Sequence, residues 1–149
     1  MKKKYLLIKI LVIYLFLNSG VTSKESNYFT RGMEHFKKKE FNKSKIFFER
    51  DLAFNPKSEK AYLYLAKIFS EKDNSVQEEI NLNNVLLLNP KNDEAIYMLT
   101  LIKIEQSNYN KAKELIDKFV LVCESFCSKK KEIQEKMEKL TPENEKNNN

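Results

Sequence analysis

The chain has 149 residues, of which 42% are apolar, with only two glycines and three prolines. This composition predicts one mostly helical domain and argues against disorder of its central part. The formal net charge is +6, but four lysines precede residue 24 and the other 23 basic residues face 21 acidic ones, so the clustered charge that nucleic-acid binding requires is absent and no nucleic acid is expected as a partner.

Residues 1–23 have the pattern of an export signal. Three lysines, Lys2 to Lys4, precede an apolar run over residues 5–17, and Val21, Thr22 and Ser23 supply small residues at the cleavage position. The pattern resembles a bacterial secretion signal and predicts a mature protein in the periplasm or cell envelope. The alternative is an uncleaved anchor in the inner membrane, although the run is shorter than the roughly 20 residues of a spanning helix.

The chain then repeats itself, with a period of about 34 residues that is typical of stacked helical hairpins. Residues 28–56 align with residues 62–90, and residues 93–126 continue the same spacing. The repeat predicts that most of the chain is one supersecondary unit used three times.

In the first unit, apolar residues at three- and four-residue steps predict a helix over residues 26–38 and a second over residues 41–54, which Pro56 ends. In the second unit, Ser58 is the predicted N-cap of the first helix. Ser75 and Glu78 form a predicted capping box at the start of the second helix, which ends before Pro90. The third unit is predicted over residues 92–106 and 109–122.

The C-terminal part is predicted to close the array. Residues 128–140 carry Ile133, Met137 and Leu140 on one stripe, which indicates a capping helix. A helix that binds a partner is the alternative. Residues 141–149 are polar and asparagine-rich, which predicts a disordered tail.

Over residues 25–126 the pattern resembles the tetratricopeptide repeat (TPR) family. The residues that carry the resemblance are Tyr28 with Gly32, Tyr62 with Leu65 and Ala66, Ile96 with Leu99 and Thr100, the turn aromatics Phe41 and Tyr109, the small residues Ser44 and Ala112, and the closing Pro56 and Pro90. The resemblance implies an all-α solenoid of three repeats (25–58, 59–92, 93–126) with the capping helix. Glu78 departs from the small residue of the family, which predicts a looser middle hairpin.

The resemblance also implies a concave groove lined by the first helix of each repeat. That face carries Phe29, Met33, Phe36, Leu63, Tyr64, Lys67, Tyr97, Met98 and Leu101. An apolar, aromatic groove suits an amphipathic helix or an extended segment of a protein partner. The alternative is that part of this surface packs between neighbouring helices.

Cys123 and Cys127 flank the turn into the capping helix, where the third repeat lacks its proline. In an oxidising compartment they form a candidate disulfide that holds this turn closed. Two reduced buried thiols are the alternative. A redox or metal role comes third, because two thiols are too few for a zinc site. His35 is the only histidine and is expected to be a packing or surface residue.

These features predict a non-catalytic adaptor of the cell envelope that holds a protein partner, with no metal or cofactor. The membrane is expected to be contacted only through an uncleaved N-terminus. A self-associating structural protein, a homo-oligomer, is the second hypothesis, and an enzyme is the third.

Overall fold

The computed structural model describes residues 26–140, so the predicted signal (1–23) and the predicted tail (141–149) lie outside the described residues. Seven α-helices occupy the described range: α1 (Asn27–Lys37), α2 (Phe41–Phe54), α3 (Glu59–Ser70), α4 (Ser75–Leu88), α5 (Asp93–Glu105), α6 (Tyr109–Val122) and α7 (Lys130–Leu140). A 3₁₀ turn, Cys127–Lys129, precedes α7. The prediction of an all-α chain of paired helices is confirmed, and the bounds of α2 and α6 match the predicted ones.

Short polar residues begin most of the helices. The side chains of Ser26, Asn74, Asn92 and Asn108 accept hydrogen bonds from backbone N–H groups in the first turns of α1, α4, α5 and α6. Ser58 precedes α3 without such a bond.

The predicted capping box at Ser75 is wrong. Helix α4 does begin at Ser75, but Asn74 is its N-cap and accepts from the Gln77 N–H at 3.1 Å. Glu78 is buried, and its carboxylate hydrogen-bonds to Ser70 of α3, so it is not available to cap the helix start. Burial raises the pKa of Glu78, and the bond to Ser70 opposes that shift.

Each hairpin turns through the same backbone conformation. Lys39, Asp73 and Ser107 have φ angles of 57°, 52° and 56° and are spaced by the repeat period. This left-handed conformation reverses the chain within three residues. The two helices of each hairpin therefore lie antiparallel and pack along their length.

Small residues bring the paired helices together. A Cβ atom added to Gly32 would lie 2.6 Å from the Phe48 ring, and the Ser44 hydroxyl donates to the Gly32 carbonyl at 2.8 Å. Ala66 and Thr100, one and two repeats later, are fully buried. The predicted looseness of the middle hairpin is wrong, because α3 and α4 pack at least as extensively as the other pairs despite Glu78.

Two apolar clusters form the core. The smaller one joins α1, α2 and α3 around Phe48, and the larger one joins the later helices around Leu82, Ile96 and Phe119. Helix α7 packs on α5 and α6 through Ile133, which is fully buried in the larger cluster. Among the helices of residues 26–140, none combines the length and apolar character that crossing a bilayer requires.

Candidate functional site

A cleft of about 560 Å³ lies on the face formed by the first helix of each hairpin. Its walls come from α1 and α3, and one residue of α5 completes its lining. The lining residues are Phe29, Thr30, Met33, Glu34, Lys37, Lys60, Leu63, Tyr64, Lys67 and Glu94. The structure thus provides an open, largely apolar site between the first two repeats.

Aromatic rings build the floor of this cleft. Tyr64 contacts the ring edges of Phe29 and Phe36 at centroid distances of 6.0 and 5.0 Å and stacks on Phe48 at 5.4 Å. Edge-to-face and offset contacts are the favoured arrangements of aromatic pairs. Tyr64 is therefore held from three sides, and the floor is a rigid surface.

The rim of the cleft is charged. The Lys67 ammonium lies 2.8 Å from the Glu94 carboxylate and 4.8 Å from the centre of the Tyr64 ring. Both members of the pair keep about a quarter of their side-chain surface in water, at 24% and 22%. The pair connects α3 to α5 beside the apolar floor, and Glu34 and Lys37 add charges of both signs on α1.

The structure divides the nine residues predicted to line the groove. Phe29, Met33, Leu63, Tyr64 and Lys67 line the cleft. Phe36 packs beneath it, against Phe41 and Tyr64. The other three, Tyr97, Met98 and Leu101, pack against the larger core cluster.

Tyr97 is engaged by the C-terminal part of the chain. Its hydroxyl donates to the Glu132 carboxylate of α7 at 2.7 Å, and its ring lies 5.9 Å from that of Phe126. Burial, followed by the bond to Glu132, raises the pKa of Tyr97 to about 12. The third repeat therefore presents its central aromatic to α7.

The segment that carries Phe126 is fixed by two sets of contacts. Cys123 and Cys127 are joined by a disulfide across a Cα–Cα distance of 5.2 Å, immediately after α6 ends. The Asp93 carboxylate accepts the backbone N–H groups of Glu124, Ser125 and Phe126 at 2.7–2.9 Å. Burial alone would raise the pKa of Asp93, but these N–H donors outweigh it and lower that pKa.

Sequence reasoning missed five cleft residues: Thr30, Glu34, Lys37, Lys60 and Glu94. The repeat spacing in the sequence could have identified two of them. Lys60 and Glu94 are one repeat period apart and occupy the second position of their predicted repeats. Residues near the start of the first helices therefore belong to the site together with its apolar centre.

The histidine of the chain lies outside the cleft. His35 stacks on Phe47 at 5.2 Å, and its Nδ1 atom lies 2.5 Å from the Glu40 carboxylate, away from the cleft. Between residues 26 and 140, no group of three or more His, Cys, Asp or Glu side chains is placed to hold a metal ion.

No family model matches the sequence, and no curated protein matches it. Solved structures do share its fold. The first TPR domain of Spaghetti (RPAP3), bound to the HSP90 peptide SRMEEVD, superposes with a TM-score of 0.69 at 12% identity and covers 81% of this chain and 98% of that one.

Two further solved structures share the fold. The Sgt2 TPR domain from Aspergillus fumigatus gives a TM-score of 0.65 at 17% identity and covers 79% of this chain and 82% of its own. The CopN–Scc3 complex gives 0.61 at 12% identity, with 83% of this chain and 80% of that one covered. The fold is TPR-like, which confirms the predicted fold class.

Proposed function

We propose that this chain is a non-catalytic binding module that holds a segment of a partner protein in the cleft between α1 and α3. The observation that carries the proposal is the open cleft over a rigid aromatic floor. Structural neighbours support it, since one TPR domain is bound to a peptide and another neighbour is a complex of two proteins.

The cleft suits apolar side chains presented by a helix or an extended strand. Its volume falls within the range of about 300–1,000 Å³ that is usual for ligand sites. Met33 and Leu63 leave apolar surface for anchors, and the charges of Glu34, Lys37 and the Lys67–Glu94 pair favour one direction of the bound segment. We place this module in the cell envelope on the strength of the export signal proposed for residues 1–23.

Photo-crosslinking from the cleft tests the proposal. A photoreactive amino acid replaces Leu63 in the native cell, and the adducts are identified by mass spectrometry. Leu63 is preferred to Tyr97, whose hydroxyl is already bonded to Glu132. The control probe replaces Val76, an exposed residue in the first turn of α4 that does not line the cleft.

One partner protein captured from Leu63 and absent from Val76 is the expected result. Purified partner segment should then protect Leu63 from labelling. Adducts of Leu63 with copies of this chain alone would establish the self-associating alternative, and equal adducts from both positions would overturn a specific cleft.

A further inference from the structure

The helices of the three hairpins end at two opposite edges of the molecule. We call one of these the entry edge, because the chain enters the first helix of each repeat there. We define the entry edge by the last turns of α2, α4 and α6 and the turns that follow them. The start of each first helix meets this edge: Tyr28 stacks on Phe54 at 5.4 Å, Glu59 accepts from the side chains of Asn89 and Asn92, and Asp93 accepts from the turn after α6. All three repeats therefore contribute to one side of the molecule.

The entry edge exposes large apolar side chains in every repeat. Phe54, Leu87 and Leu121 are 75%, 80% and 83% exposed, and Leu88 and Val120 are exposed beside them. Leu87 and Leu121 are one repeat period apart, as are Phe54 and Leu88. The first repeat has Ala53 at the position of Leu87, and the third has the half-buried Val122 at the position of Phe54, so the row uses two adjacent positions of the repeat. On the opposite edge, Val76 in the first turn of α4 is an exposed large hydrophobic residue.

The charges near this row are suited to an anionic surface. Lys57 and Lys91, again one repeat period apart, lie exposed in the turns after α2 and α4. Two acids of the same edge, Glu59 and Asp93, are half-buried and hydrogen-bonded within the protein, so Lys57 and Lys91 are the charged residues that these two turns expose. Asp117 and Glu124 expose negative charge in the third repeat, so the attraction to an anionic surface is confined to the side of Phe54 and Leu87.

Helix α1 begins at this same edge, where Tyr28 stacks on Phe54. The apolar run of residues 5–17 is separated from Ser26 by eight residues, which reach at most about 28 Å when fully extended. A bilayer that holds the apolar run would therefore lie within reach of the entry edge. This arrangement requires that residues 5–17 remain in the membrane as an uncleaved anchor.

We propose that the entry edge rests on an anionic lipid bilayer. Phe54, Leu87 and Leu121 insert below the headgroups, while Lys57 and Lys91 contact the lipid phosphates. The lipids recognised are those with a net negative headgroup. The cleft begins at the first turns of the first helices, beside this edge, and extends along them to Lys37 and Lys67, so a partner can be bound on the part of the cleft away from the lipid.

A fluorescent probe on the full chain in lipid vesicles tests this proposal. The native cysteines are joined in a disulfide, so Leu87→Cys provides a single reactive thiol for the environment-sensitive dye NBD. Val76→Cys, on the opposite edge, is the matched control. Vesicles contain phosphatidylcholine with or without phosphatidylglycerol, and a spin-labelled lipid serves as quencher.

At position 87 we expect blue-shifted emission and strong quenching by the spin-labelled lipid, with neither effect at position 76. In the Leu87→Cys chain, K57E combined with K91E should reduce the quenching in phosphatidylglycerol vesicles and leave it unchanged in pure phosphatidylcholine. Leu121→Asp in the same labelled chain should reduce the inserted fraction of the probe at least about tenfold, because it replaces a fully inserted leucine with a charge.

Water-like emission at both positions would overturn the proposal. So would emission at position 87 that shifts with protein concentration and ignores the lipid quencher, since that result assigns the row to a second copy of this chain. Far-ultraviolet circular dichroism of each variant checks that the helices are retained. The cleft experiment at Leu63 is unaffected by these outcomes, so the two proposals fail separately.

Discussion

The two halves of the face formed by α1, α3 and α5 carry equivalent helix positions but differ in what covers them. Phe29, Leu63 and Tyr97 are spaced by the repeat period. Phe29 and Leu63 line an open cleft, whereas Tyr97 is bonded to Glu132 of α7 and lies beside Phe126. The chain fills its own groove at one end and leaves it open at the other.

The difference teaches that a position in a repeat does not by itself assign a role. The last repeat has no fourth repeat to pack against within the described residues, so α7 and the turn before it bury its apolar surface. The open cleft is thereby confined to the first two repeats and Glu94 of the third. Four changes test whether the two halves are independent.

Removing the anchor of α7 should have the largest effect. Ile133→Ala deletes a fully buried side chain and should lower the free energy of unfolding by about 3 kcal/mol. Urea denaturation followed by circular dichroism measures it, with Val76→Ala as the exposed control. Partner binding by the folded variant should persist; its loss would show that the cleft depends on α7.

Opening the disulfide should have the next largest effect. Replacing Cys123 and Cys127 together with serine should lower the free energy of unfolding by about 2 kcal/mol, because a short cross-link restricts the unfolded chain. Hydrogen exchange should rise in α7 and stay unchanged in α1. The native chain treated with dithiothreitol should match the variant, and an unchanged urea midpoint would contradict the prediction.

Substitution of two leucines, one in the open cleft and one on the covered part of the face, distinguishes binding from stability. Leu63→Ala in the cleft should weaken binding of the partner segment about tenfold, or about 1.4 kcal/mol, as expected for an interface anchor. Leu101→Ala, on the next first helix and outside the cleft, should leave affinity unchanged and lower stability instead. Isothermal titration calorimetry with the segment identified by crosslinking measures both, and equal losses would mean that the groove extends along all three repeats.

Low pH should lower the free energy of unfolding, because protonation of Asp93 weakens its hydrogen bonds to the turn after α6. The pKa of Asp93 is lower in the folded chain than its ordinary value of 3.8, so its stabilising contribution is complete above pH 3.8 and is lost as the pH falls through the folded pKa. Asp93→Asn should remove about 1 kcal/mol of stability at neutral pH and flatten the acid side of the stability profile. Urea titrations at several pH values test this, and parallel profiles for the two chains would contradict it.

Much of the fold could be predicted because the repeat period relates the three hairpins, α1 to α6, to one another. Proline placed the ends of α2 and α4 correctly, since it cannot continue a helix. The cap of α4 was missed by one residue, because Asn74 and Ser75 are both good N-caps and only the turn geometry chooses between them. Glu78 did not loosen its hairpin, because Ser70 supplies a hydrogen bond that the sequence pattern does not reveal.

The site could be predicted only in part. The resemblance treated the first helices as equivalent. Of the six residues that it named on α1 and α3, Phe36 packs beneath the cleft and the other five line it, namely Phe29, Met33, Leu63, Tyr64 and Lys67. It could not show that Tyr97 pairs with Glu132, since α7 lies outside the repeats and its packing depends on the turn held by Asp93 and the disulfide.

The repeated turn conformation has a consequence for engineering. Lys39, Asp73 and Ser107 hold left-handed φ angles, a conformation that costs a residue with a side chain roughly 1–2 kcal/mol and glycine almost nothing. Each of these turn residues is therefore strained, and packing of the two helices keeps it in place. Because the three positions are a full repeat apart, the effects of glycine substitutions there should add independently. Each substitution should raise the free energy of unfolding without changing a residue of the cleft or the entry edge.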